Sequence, residues 1–87
     1  MTNGKSFQGE ADRVLDTRGS YCPVPVIETA KAMNSLAPGE VLEVISDDIG
    51  VKLDIPAWCQ GQGQRLLGMD EESGLIRIHI LKTGEVA

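Results

Sequence analysis

Metal-ligating side chains are scarce in this sequence, with one histidine and two cysteines in 87 residues. His79, Cys22 and Cys59 at their spacings match no zinc pattern, so no metal is expected. Positive charge is also short. Eight Lys and Arg face 13 Asp and Glu, a formal net charge of -5. Phosphate contact needs a basic face, so the balance argues against direct nucleic-acid binding, while it is compatible with partners that carry basic surfaces. Long apolar runs are missing. Nothing approaches the ~18 consecutive apolar residues of a membrane span, and Met1 to Ala11 lacks the apolar segment of an export signal. A cytoplasmic protein is the expectation, and a reducing cytosol disfavours a structural disulfide. Internal repeats are absent as well.

Hydrophobic residues make up 41% of the chain, enough for one domain with a modest core. Residues 1–11, rich in Gly, Ser, Asn and Gln, read as a flexible tail. Residues 12–83 form the domain, and 84–87 a short C-terminal tail.

The stretch that asks for a chemical explanation is Arg18-Gly19-Ser20-Tyr21-Cys22-Pro23-Val24-Pro25. A helical pattern follows it at once. Proline is tolerated in a first helical turn, where its missing N–H has no intrahelical partner anyway. Pro23 is therefore predicted as the first helical residue, with Pro25 in the same turn and Cys22 at the N-cap. Ser, Thr, Asp or Asn would cap better, so a thiol there needs another reason. Free N–H groups and the positive end of the helix dipole favour a thiolate, the nucleophilic form. The competing reading is a small buried hydrophobe, and position alone does not separate the two. Gly19 suggests a backbone conformation that a Cβ resists. Arg18 is either a source of positive potential for the thiol or an ordinary solvated turn charge.

Asp12–Thr17 predicts a short strand. Val26, Ile27, Ala30, Met33 and Ala37 make the stripe of an amphipathic helix, stopped by Pro38-Gly39. Val41–Ser46, rich in β-branched residues, predicts a central buried strand. Asp48 can cap the segment after this strand. With Asp47 it could also hold a metal or act as acid and base, but sequence neighbours rarely converge on one ligand, so capping and solvated charge are favoured. Val51, Ile55, Trp58 and Cys59 have helical spacing, with Leu53 off the stripe and Trp58 as a core anchor. Pro56 interrupts this pattern. Either one kinked helix runs through it, or a new helix starts near Asp54 with Asp54 as its cap. Gln64–Asp70 predicts a strand and Asp70–Gly74 a polar hairpin loop. Leu75–Leu81 alternates, with Ile76, Ile78 and Ile80 on one face and Arg77 and a solvated His79 on the other. The sum is an α/β two-layer sandwich of order β-α-β-α-β-β, a four-stranded mixed sheet with both helices on one face. Cys22 then lies where a strand hands over to its helix, the usual place for chemistry in α/β folds.

Leu15-Asp16-x-x-Gly19-x-x-Cys22-Pro23-x-Pro25, Pro38-Gly39-Glu40, Asp47-Asp48 and Asp54-Ile55-Pro56-x-Trp58-Cys59 resemble, in order, the landmarks of the TusA (SirA-like) family of small sulfur-carrier proteins. The likeness runs from about Val14 to Lys82. It implies a single TusA-like domain with a fold like the C-terminal domain of bacterial translation initiation factor three. It implies that Cys22 accepts sulfane sulfur as a persulfide from a donor protein, a cysteine desulfurase or rhodanese-like protein. An acceptor protein then takes the sulfur into tRNA thiolation, cofactor metabolism or sulfur oxidation, and no cofactor is needed beyond the covalent persulfide. Arg18, Gly19, Pro23, Pro25 and Asp48 are the accompanying candidates for substrate or partner contact. The family pattern also favours a helix across Asp54–Cys59. Ser20 departs from the family, where an apolar residue usually follows the glycine, and this bears on packing and partner contacts more than on the thiol.

Two other classes of function stay open. One is a small sulfurtransferase acting directly on thiosulfate or a related donor, which needs a basic group near Cys22, with Arg18 as the candidate. The other is a regulatory binding module in which Cys22 is structural. Cys59 is read as buried beside Trp58 rather than as a resolving partner, because only close Cα atoms can be bridged. A monomer that exchanges partners quickly is expected, although Leu75 and Leu81 leave the outer sheet face able to pair with another chain.

Overall fold

In the computed structural model, which describes residues 11–84, six elements follow one another. They are β1 (Arg13–Asp16), α1 (Val24–Asn34), β2 (Val41–Ser46), α2 (Val51–Gln62), β3 (Arg65–Glu72) and β4 (Leu75–Leu81). The four strands form one mixed sheet in the order β1-β2-β4-β3. β1 runs parallel to β2, and β4 runs antiparallel to both β2 and β3. The expected tails lie outside the described residues, apart from Ala11 and Gly84 at their inner ends.

The β2–β4 register explains the core. Leu42 pairs with Ile80, Val44 with Ile78 and Ser46 with Ile76, so one sheet face carries these six side chains, all essentially inaccessible to solvent. Ala32 and Met33 of α1 and Val51, Ile55 and Cys59 of α2 pack against that same face. Both helices therefore cover one side, as the strand and helix periods require. Each fully buried Ile, Leu or Met side chain contributes about 1.5–3 kcal/mol to holding the layers together.

Several local expectations are corrected. The buried face of α1 is Pro25, Thr29, Ala32 and Met33, whereas Ile27 is exposed. The polar Thr29 sits inside because its Oγ1 donates to the Pro25 carbonyl at 2.7 Å, which satisfies the hydroxyl without solvent. α2 is one helix through Pro56, starting at Val51 with Gly50 before it. Asp54 is thus inside the first turn and is not a cap. Pro56 forgoes the bond its N–H would have made to the Lys52 carbonyl, and Val51, Ile55 and Cys59, buried on both sides of it, hold the helix in place. Gly63, at φ 73°, ends the helix in the left-handed region.

The hairpin loop is shorter than Asp70–Gly74. β3 continues to Glu72, and the turn is Ser73-Gly74 with φ of 54° and 81°, the paired positive values of a type I′ turn. His79 is on the expected face but is not solvated. It is 5% exposed, and its Nε2 lies 3.0 Å from Oε1 of Glu43, the residue opposite it on β2. A cross-strand carboxylate in the sheet centre gives the imidazole a partner that replaces water.

Candidate functional site

The loop from β1 to α1 is fastened at both ends. Thr17, almost fully buried, donates to the Ile45 carbonyl through its backbone N–H at 2.8 Å and its Oγ1 at 2.7 Å. The chain then turns, with the Ser20 N–H bonded to the Thr17 carbonyl. Gly19 has φ of 86°, a conformation that costs a residue with a Cβ roughly 1–2 kcal/mol. Its N–H points at the Asp47 carboxylate, 3.2 and 3.3 Å from the two oxygens.

Asp48 holds the far end. Its Oδ2 accepts the Cys22 N–H at 2.9 Å and its Oδ1 accepts the Gly50 N–H at 3.0 Å. The Gly50 and Cys22 N–H bonds hold the Asp48 carboxyl below the usual carboxylate range. Both adjacent aspartates accept backbone N–H groups. Each pins a segment of the cysteine loop, and Asp48 joins it to the start of α2. Among the described residues, no group of three or more His, Cys, Asp or Glu is arranged to hold a metal ion.

α1 begins at Val24, with Pro23 at the N-cap and a cis Cys22–Pro23 peptide bond. Cys22 thus precedes the cap by one residue. Its electrostatics are also the reverse of the helix-dipole expectation. The thiol is exposed, and Sγ donates to Oδ2 of Asp54 at 3.0 Å. That hydrogen bond, followed by desolvation and by the charges of Asp54 and Asp48, pushes the Cys22 thiol above its ordinary value. A carboxylate that accepts the S–H favours the protonated thiol.

Arg18 does not supply the missing cation. Its Nε lies 3.0 and 3.1 Å from the Asp16 oxygens and its Nη2 2.7 Å from Oδ2. This pairing holds the Asp16 carboxyl down at about 2. The guanidinium is spent on its own turn, as a surface charge. Of the remaining candidates, Pro23 is exposed, while Pro25 is fully buried and belongs to packing. Cys59 is 2% exposed in the core, and desolvation pushes its thiol up to about 11. Both cysteines are free.

The loop therefore brings Cys22 together with Asp48 and, unexpectedly, Asp54. The sequence held one signal for Asp54. It stands three residues after Val51 and one before Ile55, at the edge of the apolar stripe, where it is half-buried. Exposed apolar side chains flank the same residues in sequence: Tyr21 and Val24 beside Cys22, Ile27 one turn on, Ile49 beside Asp48 and Leu53 beside Asp54. Tyr21 is 75% and Leu53 79% exposed.

Comparison with known proteins agrees with the family resemblance. The family model described as "Sulfurtransferase TusA" matches residues 13–82. The Bacillus subtilis protein YrkI is 41% identical over 73 residues, covering 84% of this chain and 97% of its own. The sulfur carrier protein TusA of Pseudomonas entomophila is 40% identical over 74 residues, covering 85% of this chain and 92% of its own. The crystal structure of a SirA-like protein from Desulfitobacterium hafniense superimposes with a TM-score of 0.68 at 27% identity, over 82% of this chain and 97% of that one. Among the described residues, no helix is long and apolar enough to cross a membrane.

Proposed function

The chain belongs to the sulfurtransferase TusA family, and on that premise we propose that it carries sulfur as a persulfide on Cys22 between two partner proteins. The observation that carries this reading is an exposed, free thiol on a loop pinned by Asp47 and Asp48 at a strand-to-helix junction. Sγ of Cys22 attacks the terminal sulfur of the donor's persulfide. The donor's S–S bond breaks, a new Sγ–S bond forms, and the donor cysteine leaves as a thiol carrying the hydrogen that Cys22 gives up. Delivery is the same displacement with the acceptor's thiol as nucleophile.

Such a carrier works as a monomer in the cytoplasm, loaded by a cysteine desulfurase or rhodanese-like protein and unloaded by an acceptor protein of a sulfur-relay pathway. The exposed Tyr21, Val24, Ile27, Ile49 and Leu53 offer a docking rim, and the net charge of -5 favours partners with basic surfaces. Direct use of thiosulfate is disfavoured. That dianion would meet Asp54 and Asp48 at the thiol, while Arg18 is engaged by Asp16.

Mass spectrometry after incubation with a persulfidated cysteine desulfurase tests the assignment. The wild-type and Cys59→Ser proteins each gain the mass of one sulfur atom, and Cys22→Ser does not. Sulfur on Cys22→Ser but not on Cys59→Ser moves the role to the other thiol. Loading of the wild type by thiosulfate alone replaces the carrier reading with a direct sulfurtransferase.

A further inference from the structure

The two carboxylates beside Cys22 have different duties. Asp48 is occupied on both oxygens by backbone N–H groups of Cys22 and Gly50. Asp54 instead receives the reacting group itself, with Sγ 3.0 Å from Oδ2. Its seat is rigid, because Val51 and Ile55 on the same turns are buried in the core. The neighbouring cations are committed elsewhere, Arg18 to Asp16 and Lys52 to Glu71 at 2.6 Å. Asp47 faces the Gly19 N–H. The thiol thus sits among carboxylates, and the cations beside them in sequence are already paired.

This geometry distinguishes the empty carrier from the loaded one. The empty thiol has a hydrogen on Sγ to donate to Asp54. In the persulfide, Sγ is bonded to the second sulfur about 2 Å away and has no hydrogen. The outer sulfur carries the negative charge, next to Asp54 and Asp48. Loading therefore breaks a charge-assisted hydrogen bond and brings an anion beside two carboxylates.

We propose that Asp54 is a positioning residue that sets the direction of sulfur transfer, stabilising the empty thiol over the loaded persulfide so that Cys22 readily gives its sulfur away. This rests on the carrier reading and adds to it the group that biases the equilibrium. With glutathione persulfide as donor, the exchange is Cys22–SH plus GS–S⁻ giving Cys22–S–S⁻ plus GSH. The Sγ–S bond forms, the glutathione S–S bond breaks, and the proton passes from Sγ to the glutathione sulfur. No oxidant is required. Asp54 favours the left-hand side through the thiol it holds.

The test is the ratio of loaded to empty protein, read by mass spectrometry at a fixed ratio of glutathione persulfide to glutathione and constant pH. Asp54→Asn removes the charge and should raise that ratio about tenfold or more, the effect of one charge-assisted hydrogen bond. Asp54→Ser should behave likewise, and Asp54→Glu should return the ratio towards wild type. In parallel, the pH midpoint of Cys22 alkylation by iodoacetamide should move down in Asp54→Asn, which a purely structural role would not cause in a folded variant. Ratios within twofold of wild type in both Asp54→Asn and Asp54→Ser overturn the proposal and leave the carrier reading standing. Failure of the wild type to load at Cys22 from either glutathione persulfide or a persulfidated desulfurase overturns both. If Asp54→Asn does not fold, Asp54→Ser and the direction of change in Asp54→Glu decide.

Discussion

Cys22 lies on an exposed loop with Sγ 3.0 Å from a carboxylate oxygen, and Cys59 lies 2% exposed between α2 and the sheet. Both thiols are pushed towards the protonated form, Cys22 mainly by the hydrogen bond to Asp54 and Cys59 by burial alone. The first cause is undone by moving one side chain or bonding one sulfur. The second is undone only by opening the core. The same residue type, shifted in the same direction, is therefore open to a reagent in one place and shielded in the other. Accessibility and the nature of the partner separate the two thiols, and the direction of the shift does not.

The largest effect expected from this contrast is a difference in thiol reactivity. Iodoacetamide should modify Cys22 in the native protein, while Cys59 reacts only through opening of the core, slower by about 10³-fold or more. Time-resolved mass spectrometry should show one fast adduct on wild type and none on Cys22→Ser, with the second thiol appearing after denaturation in urea. Comparable rates at both thiols would mean that the α2 layer opens readily, and the contrast would fail.

The distinction was only partly legible in the sequence. The burial of Cys59 follows from local periodicity, since it shares a helical stripe with Val51 and Ile55. The element order follows in the same way from alternation at Ile76, Ile78 and Ile80 and from the helix stop at Pro38-Gly39. The partner of Cys22 could not be read so. Asp54 is 32 residues away, and nothing local tells a first-turn aspartate facing solvent from one facing a thiol. A helix dipole does favour a thiolate at the cap, but Cys22 stands one residue before it, with a carboxylate oxygen 3.0 Å from its Sγ. His79 shows the same limit. Alternation gave its face correctly, but Glu43 across the β2–β4 register determines that it is buried.

A smaller effect separates the two thiols through stability. The Cys59 pKa in the folded protein is about 11, above the ordinary thiol value of 9.0. A group whose folded pKa is raised contributes its full stability below the unfolded value. That contribution is lost as pH rises through the folded value. The wild type should therefore lose on the order of 2 kcal/mol between about pH 9 and pH 11 relative to Cys59→Ala. Urea unfolding of both proteins across that range measures it, and taking the difference removes every other titrating group. Parallel pH curves for the two proteins would show that Cys59 is hydrated in the native state. Cys22→Ala should also depart from the wild type on the alkaline side, because the thiol held up by Asp54 contributes stability by the same linkage, so Cys22 is kept intact in both proteins of the Cys59 comparison.

The smallest effect concerns Arg18, and it tests whether the environment of Cys22 is set by Asp54 alone. The Asp16 carboxyl, held at about 2 by Arg18, contributes stability that is present above the ordinary carboxylate value and lost as pH falls through 2. Arg18→Ala should remove that acid-side dependence, visible as a flatter urea midpoint between about pH 4 and pH 2. Both side chains are about half exposed, so the change at neutral pH should be slight. The same variant should leave the alkylation pH midpoint of Cys22 unmoved and its rate at pH 7 within about twofold, because the guanidinium charge is already balanced by Asp16. A marked slowing of Cys22 alkylation in Arg18→Ala would mean that the guanidinium reaches the thiolate after all. The loop would then balance a cation against Asp54, and the thiosulfate-using alternative would regain the basic group it needs.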